Sequence, residues 1–176
     1  MKNTSRSFDL VAAISLNGKI ADRQGNFPSS QEDRLFLQKK ILYSDVLIMG
    51  RKTFERHVRR PGQKPIIVFT TKIKGVRLAS PAIAQVHFFR GKGSDLIKYL
   101  DMLQFRKVLI LGGAEIYHWF LKNRLVTNIF FTIEPILIHG GKSLLTAPLF
   151  LKMKSWKLRK IKKLNSQGTL LLHYQP

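Results

Sequence analysis

Asp33, Phe36, Leu37 and Lys40 stand at i, i+3, i+4 and i+7, the spacing of a single helix face. A carboxylate beside two apolar side chains suits a flat heterocycle with a polar edge. The competing reading is that Glu32 and Asp33 are only favourable first-turn charges on the helix dipole. A second chemistry is written into the turns. Val108-Leu109-Ile110-Leu111 runs straight into Gly112-Gly113, followed by Ala114-Glu115-Ile116-Tyr117 and the apolar Trp119, Phe120 and Leu121. Glycines there let a ligand approach the backbone, and a helix N-terminus offers N–H groups to an anion. A tight strand–helix turn with no ligand would use the same residues. Gly50-Arg51-Lys52-Thr53 ends another apolar run with two cations and a hydroxyl. It reads either as a phosphate clamp or as a solvated basic turn. Thr70-Thr71-Lys72 and Arg90-Gly91-Lys92-Gly93 close two further apolar runs in the same way.

The elements that must position these groups follow from the hydrophobic pattern. Phe8–Ile14, Val46–Met49, Ile66–Phe69, Gln85–Phe89 and Val108–Leu111 are near-continuous apolar runs, as expected of strands covered on both faces of a parallel sheet. Ser15–Ala21 carries an Asn-Gly turn signal, Asp22–Pro28 is a polar loop, and Arg59–Gly62 is a turn. Ser29-Ser30-Gln31-Glu32-Asp33 predicts a helix start, a serine cap with an acid three residues on, with the helix running to about Tyr43. A second helix is predicted over Ser94–Leu103, capped by Ser94. Asn128–Leu137 and Trp156–Tyr174 supply the last strands, the latter turning at Asn165–Gly168. Several strands thus end in Gly, Thr or Arg/Lys at one carboxyl edge, where open α/β sheets bind ligands. Three phosphate-competent termini on one edge imply a nucleotide with more than one phosphate, although the usual dinucleotide glycine fingerprint is absent.

Composition bounds the possibilities. The length predicts one domain over residues 1–176 with a sizeable core, and 44% hydrophobic residues suit a globular chain. The absence of cysteine excludes disulfides, thiol catalysis and cysteine-ligated metal. No apolar run approaches bilayer length, so no membrane partner is expected. The polar N-terminus leads directly into a strand, which predicts no secretory signal and a cytoplasmic location. His57, His87, His118, His139 and His173 lack ligand spacing, and no metal is expected. The net charge of +21 attracts polyanions and anionic small molecules alike. Lys152–Lys163, with Trp156 and Leu158 interleaved, is the best nucleic-acid candidate, but the same alternation describes a half-exposed strand.

Taken in order, FDLVAAISLNGKIA (8–21), SSQED (29–33), VLIMGRKTFE (46–55), PGQKPIIVFTTK (61–72), VLILGGAEIY (108–117), IFFTIEPIL (129–137) and LLLHY (170–174) resemble the dihydrofolate reductase family and its relative, the reductase domain of riboflavin biosynthesis. MGRKTFE and LGGAEIY are the most specific pieces. The resemblance implies an α/β fold with a central, mostly parallel sheet flanked by helices and a C-terminal antiparallel hairpin. It implies NADPH as cofactor and hydride transfer to a C=N bond. Ala13 and Ile20 would flank the nicotinamide with their backbone. Gly50, Arg51, Lys52 and Thr53 would hold the adenosine side and pyrophosphate, with Arg51 on the 2′-phosphate. Thr70 and Arg90 would serve the adenosine end, Gly112, Gly113, Ala114 and Glu115 the pyrophosphate, and Tyr117 the nicotinamide side. Asp33, after a one-residue adjustment, matches the pterin-binding acid, and Thr132 the threonine that supports it. Phe36 and Leu37 would line the substrate.

The departures concern the substrate. Gly25-Asn26-Phe27-Pro28 lacks the tryptophan usual near the pterin, and Gln63 stands where an arginine grips the folate glutamate tail. SLNGKIA, SSQED and EPILIHGGKSLL look more like the riboflavin-pathway reductase, yet its Asp-Pro signature is replaced by Phe54-Glu55-Arg56-His57. The readings are therefore a dihydrofolate reductase first, a riboflavin-type pyrimidine reductase second, and a basic nucleic-acid-binding module without turnover third. A monomer or a homodimer is compatible with each.

Overall fold

The computed structural model describes residues 6–57, 64–71, 75–78, 86–145 and 155–176. The strands are β1 (Ser7–Ser15), β2 (Lys19–Ala21), β3 (Val46–Gly50), β4 (Ile66–Phe69), β5 (Gly75–Leu78), β6 (Val86–Arg90), β7 (Lys107–Ile110), β8 (Asn128–Glu134), β9 (Lys142–Ser143), β10 (Lys157–Lys163) and β11 (Leu170–Gln175). The helices are α1 (Gln31–Tyr43), α2 (Arg51–His57), α3 (Gly93–Met102) and α4 (Ala114–Lys122). The main sheet runs β10-β11-β8-β1-β7-β3-β4-β6-β5, and β2 pairs with β9 in a small second sheet. Neighbours from β8 through β6 are parallel, while β5, β11 and β10 each join antiparallel. This is the α/β architecture, with its C-terminal hairpin, that the sequence pattern and the resemblance imply.

Alternation within each strand sends residues to two separate cores. Val46 and Ile48 of β3, Ile67 of β4, and Val108 and Ile110 of β7 pack with Leu96, Leu100, Ile116 and Phe120 of α3 and α4. Leu47, Met49, Ile66, Val68 and Leu109 face the other way and meet Phe36, Leu37 and Ile41 of α1 and Phe54 of α2. Both faces of the parallel strands are covered, hence the continuous apolar runs. Trp119 and Phe120 belong to this packing, Phe69 lying 4.9 Å and 5.7 Å from their respective rings.

Several boundaries differ from expectation. The cap of α3 is Lys92 rather than Ser94, because the Asp95 carboxylate reaches back to accept the Lys92 N–H at 2.8 Å and starts the helix at Gly93. Gly75–Leu78 forms an antiparallel edge strand on β6 that the pattern of Gly-Val-Arg-Leu did not predict. β8 stops at Glu134, before Pro135, which cannot donate to a ladder. The Arg59–Gly62 turn, Gln63 and Lys72 lie outside the described residues.

Ile48 sits fully buried in the middle of the sheet, whereas Leu158 on the edge strand is half exposed. Ile48→Ala should lower stability by about 2–5 kcal/mol, and Leu158→Ala by no more than about 0.5 kcal/mol, both read from urea unfolding midpoints.

Candidate active site

The parallel strands bring their carboxyl ends to one edge, and two helices begin there. The Gly50 N–H at the end of β3 donates to the Gly112 carbonyl at 2.8 Å, and the Leu111 N–H donates to Ile48 O at 2.8 Å. The Gly112–Gly113 peptide is cis, and Gly112 has φ +88°. A Cβ at Gly112 would lie 2.6 Å from Cζ of Tyr117, so the tyrosine ring occupies the space that a side chain would need. Gly113 caps α4, its carbonyl accepting from Ile116 and Tyr117. A Cβ on Gly113 would meet only the Thr53 hydroxyl, at 3.5 Å, within contact range. The N-terminal turns of α2 and α4 therefore stand side by side, each with first-turn N–H groups lacking helical partners.

The cations at this edge are held loosely. Arg51 pairs with Glu55 one turn on at 2.5 Å, both partly exposed. Such an exposed pair is worth well under about 1 kcal/mol, little obstacle to a phosphate. Arg90 donates to the Thr71 carbonyl at 2.9 Å, and the Thr70 N–H donates to Phe89 O, so the ends of β4 and β6 are joined. Lys52 is exposed on the first turn of α2, and Glu115 on that of α4, next to the buried Ala114. Ile20 packs at the margin of the α3/α4 core. Tyr117 is buried, and its hydroxyl donates to the Val11 carbonyl at 2.6 Å. Burial, and secondarily the Asp33 charge, push that phenol far above its ordinary range.

The acid lies a few strands away on the same edge. Ser30 caps α1, its hydroxyl accepting the Asp33 N–H at 3.2 Å, which confirms the predicted helix start. Asp33 is only 5% exposed. Burial is the main reason its carboxyl is pushed above the usual range; the Thr132 hydroxyl opposes this, the Glu134 charge adds to it, and Ser29 and Arg34 oppose it weakly. Thr132 is fully buried on β8, opposite Ala13 of β1. Its hydroxyl lies near enough to favour the Asp33 anion but is not aligned into a formed hydrogen bond with any described residue. It retains capacity for a further partner.

Phe36, Leu37 and Lys40 share the Asp33 face of the helix but do not converge with it on one point. Phe36 packs 5.8 Å from the Phe130 ring, Leu37 lies against the same core, and Lys40 pairs with Asp9 at 2.7 Å near the start of β1. Seven residues of helix span about 10 Å, so α1 carries Lys40 away towards the opposite edge. In the loop after β2, Gly25 has φ +89° and the Arg56 guanidinium lies where its Cβ would be. Lys157–Lys163 is edge strand β10, exposed throughout; Lys152 to Lys154 lie outside the described residues. Among the described residues no group of three His, Asp or Glu side chains is arranged to hold a metal ion, and no helix is long and apolar enough to cross a membrane.

Sequence reasoning missed Glu134. It is 3% exposed, two residues past Thr132 and so on the same face of β8, and accepts the Ser30 N–H at 2.8 Å and the Thr169 hydroxyl at 2.7 Å. The i, i+2 spacing to Thr132 was the available signal.

Comparison with known families places the fold. The family model of the RibD C-terminal domain matches residues 9–170. The chain belongs to the RibD C-terminal domain family. Its fold is similar to a putative riboflavin biosynthesis protein from Shewanella sp. PV-4, with TM-score 0.79 and 24% identity over 96% of this chain and 98% of that one. It also resembles RibD of Acinetobacter baumannii, with TM-score 0.78 and 16% identity over 100% of this chain and 59% of that one. In sequence this RibD-family chain is 33% identical over 112 residues to dihydrofolate reductase type 15 of Escherichia coli, covering 61% of this chain and 63% of the relative. It is 27% identical over 118 residues to dihydrofolate reductase HdrB of Haloferax volcanii, covering 65% and 59%. The chain thus spans under two thirds of the length of these reductases.

The raised carboxyl of Asp33 has a consequence for stability. Protonation of a group whose folded pKa is raised stabilises the fold fully below the ordinary value and is lost as pH rises through the folded value. At neutral pH the buried anion is a cost. Asp33→Asn should therefore raise the urea midpoint at pH 7.5, and the gain should shrink towards pH 4; a lowered midpoint at pH 7.5 would contradict the buried-acid account.

Proposed function

We propose that this chain is an NADPH-dependent reductase that adds a hydride and a proton across a C=N bond of a pterin or related pyrimidine. The observation that carries this reading is Asp33, a buried acid beside the uncommitted Thr132 hydroxyl. It lies on the same sheet edge as two adjoining, glycine-lined helix starts. Those starts fit a dinucleotide: Gly50, Gly112 and Gly113 leave backbone approachable, and Arg51, Lys52 and Arg90 supply positive charge at neighbouring strand ends. The bound nicotinamide would supply the hydride. Thr53, Thr70, Ala114 and Glu115 line the same turns.

Asp33 binds the polar edge of the heterocycle and polarises it, with the uncommitted Thr132 hydroxyl beside it free to engage the same ligand. The imine carbon gains the hydride, the imine nitrogen gains a proton, and the double bond becomes CH–NH. Because burial keeps Asp33 protonated to higher pH than an ordinary carboxyl, a proton held there favours turnover on the acid side. The rate should fall as pH rises through its pKa. Ala13 and Ile20 supply backbone and bulk beside the reacting ring.

Dihydrofolate is the first reading of the substrate, supported by the Asp33–Thr132 pair and by relatives named as dihydrofolate reductases. The second is 5-amino-6-(5-phosphoribosylamino)uracil, favoured by the RibD-family match over residues 9–170. Purified protein with NADPH and each substrate in turn, followed by loss of NADPH absorbance, decides between them. Turnover of dihydrofolate with none of the pyrimidine supports the first, the converse the second, and failure to bind NADPH overturns both. With the substrate that reacts, Asp33→Asn should lower kcat by roughly 100-fold or more with NADPH affinity intact.

Arg51 provides an independent check on the cofactor. A guanidinium on a 2′-phosphate makes charge-assisted bonds absent with NADH. Arg51→Ala should weaken NADPH by roughly 10- to 100-fold and NADH by less than about threefold, measured by fluorescence titration. Equal losses would remove Arg51 from the 2′-phosphate.

A further inference from the structure

Glu134 is a second buried acid that hydride transfer does not by itself require. None of the ion pairs among the described residues involves it. An apolar residue in that space would cost less than an unpaired buried carboxylate. What the carboxylate adds is two acceptor oxygens and a charge, and both are directed at the neighbourhood of Asp33.

The two oxygens join parts of the chain that are distant in sequence. Oε1 takes the N–H of Ser30, whose hydroxyl in turn accepts the Asp33 N–H. Oε2 takes the hydroxyl of Thr169, just before β11. Thr169 also accepts from Asn165 Nδ2 at 2.9 Å, and that same nitrogen donates to Glu32 Oε2 on the first turn of α1 at 3.1 Å. Asn165 Oδ1 accepts from the Gly168 and Thr169 N–H groups, fixing the turn itself. The path from Ser30 through Glu134, Thr169 and Asn165 returns to Glu32, closing a ring around the N-terminus of α1.

We propose that Glu134 is the positioning residue for Asp33, its carboxylate tying the start of α1 to the Asn165–Thr169 turn of the C-terminal hairpin. This inference rests on the reductase reading of Asp33. The charge has its own effect: with Thr132 it faces Asp33 from β8, while Tyr117 faces it from α4 and Ser29 and Arg34 from the α1 segment. Glu32 enters only through Asn165. Of these, Glu134 is the charge that opposes ionisation of Asp33, in the same direction as burial.

Two substitutions separate tether from charge. In Glu134→Gln the amide oxygen accepts the Ser30 N–H and the NH2 donates to the Thr169 hydroxyl, so the ring persists without its charge. The Asp33 titration, followed by carboxyl 13C NMR, should then move to lower pH, and the pH limb of kcat should move with it. Thr169→Val keeps the charge and cuts the ring. It should lower kcat at the optimum roughly tenfold while leaving NADPH affinity unchanged, and Thr169→Ser should restore it. An unmoved Asp33 titration in Glu134→Gln, or wild-type kcat in Thr169→Val, would overturn the proposal. If Thr169→Val does not fold, Asn165→Ala, which opens the same ring by removing the bonds of Asn165 Nδ2 to Thr169 and Glu32, takes its place with the same expected loss of kcat. The NMR titration needs no turnover. A wild-type protein inactive on both substrates would sink the reductase reading, while the titration still reports whether Glu134 acts on Asp33.

Discussion

The hydrogen bond from the Gly50 N–H to the Gly112 carbonyl couples β3 to β7 beyond their last ladder pair, and the arrangement of the sheet's carboxyl edge depends on it. With that bond in place α2 and α4 start together, and the packing beneath leaves little room for a side chain at Gly50 and none at Gly112. A Cβ on Gly50 would press 3.2 Å from Ile116, and one on Gly112 would enter the Tyr117 ring. Tyr117 then pins α4 to the neighbouring strand through Val11 O. The same tyrosine thus fills the space under Gly112 and fixes the helix whose N-terminus faces the edge. A bare backbone next to a helix start is a rigid feature here, and rigidity is what lets N–H groups act on an anion without reorganising.

The opposite corner of the site works against the protein's overall charge. A chain with net charge +21 would be expected to favour carboxylate anions everywhere. Salt screens exposed charges beyond about 8 Å at physiological ionic strength, so most of those cations do not reach Asp33. What reaches it is local: burial, the Glu134 charge, and Arg34 as the weakest of the opposing influences. Local desolvation therefore wins over the global field. The exposed cations act instead within a Debye length of the surface, where they favour the approach of anions.

The parts of this architecture written in local pattern were legible from the sequence. The apolar runs from Phe8, Val46, Ile66 and Val108 became the central strands, because strands buried on both faces tolerate no polar alternation. The α1 start was readable because the serine cap and Asp33 lie three residues apart. The α3 cap was misread because Ser94 and Asp95 both suit a cap, and the Asp95 carboxylate satisfied the Lys92 N–H first. Glu134 escaped notice for a different reason. Its partners are Ser30 and Thr169, far off in sequence; the β8–β11 pairing brings Thr169 to it, and the docking of the α1 start brings Ser30. Phe36 and Leu37 show the same limit: their helix face was right, but which strand that face meets was not in the spacing.

The distribution of charge also answers a problem the fold creates. Among the described residues the open sheet ends in β10, whose outer backbone groups offer a template for another strand. Leu158 and Ile161 on that strand are exposed and would add apolar attraction to such pairing. Lys157, Arg159, Lys160, Lys162 and Lys163 occupy the other five of its seven positions. Two copies meeting edge to edge would set these cations against one another, and like charges opposed across strands are destabilising. The basic run that reads in isolation as a candidate polyanion site thus also opposes, as an edge strand, pairing with a second copy of the sheet.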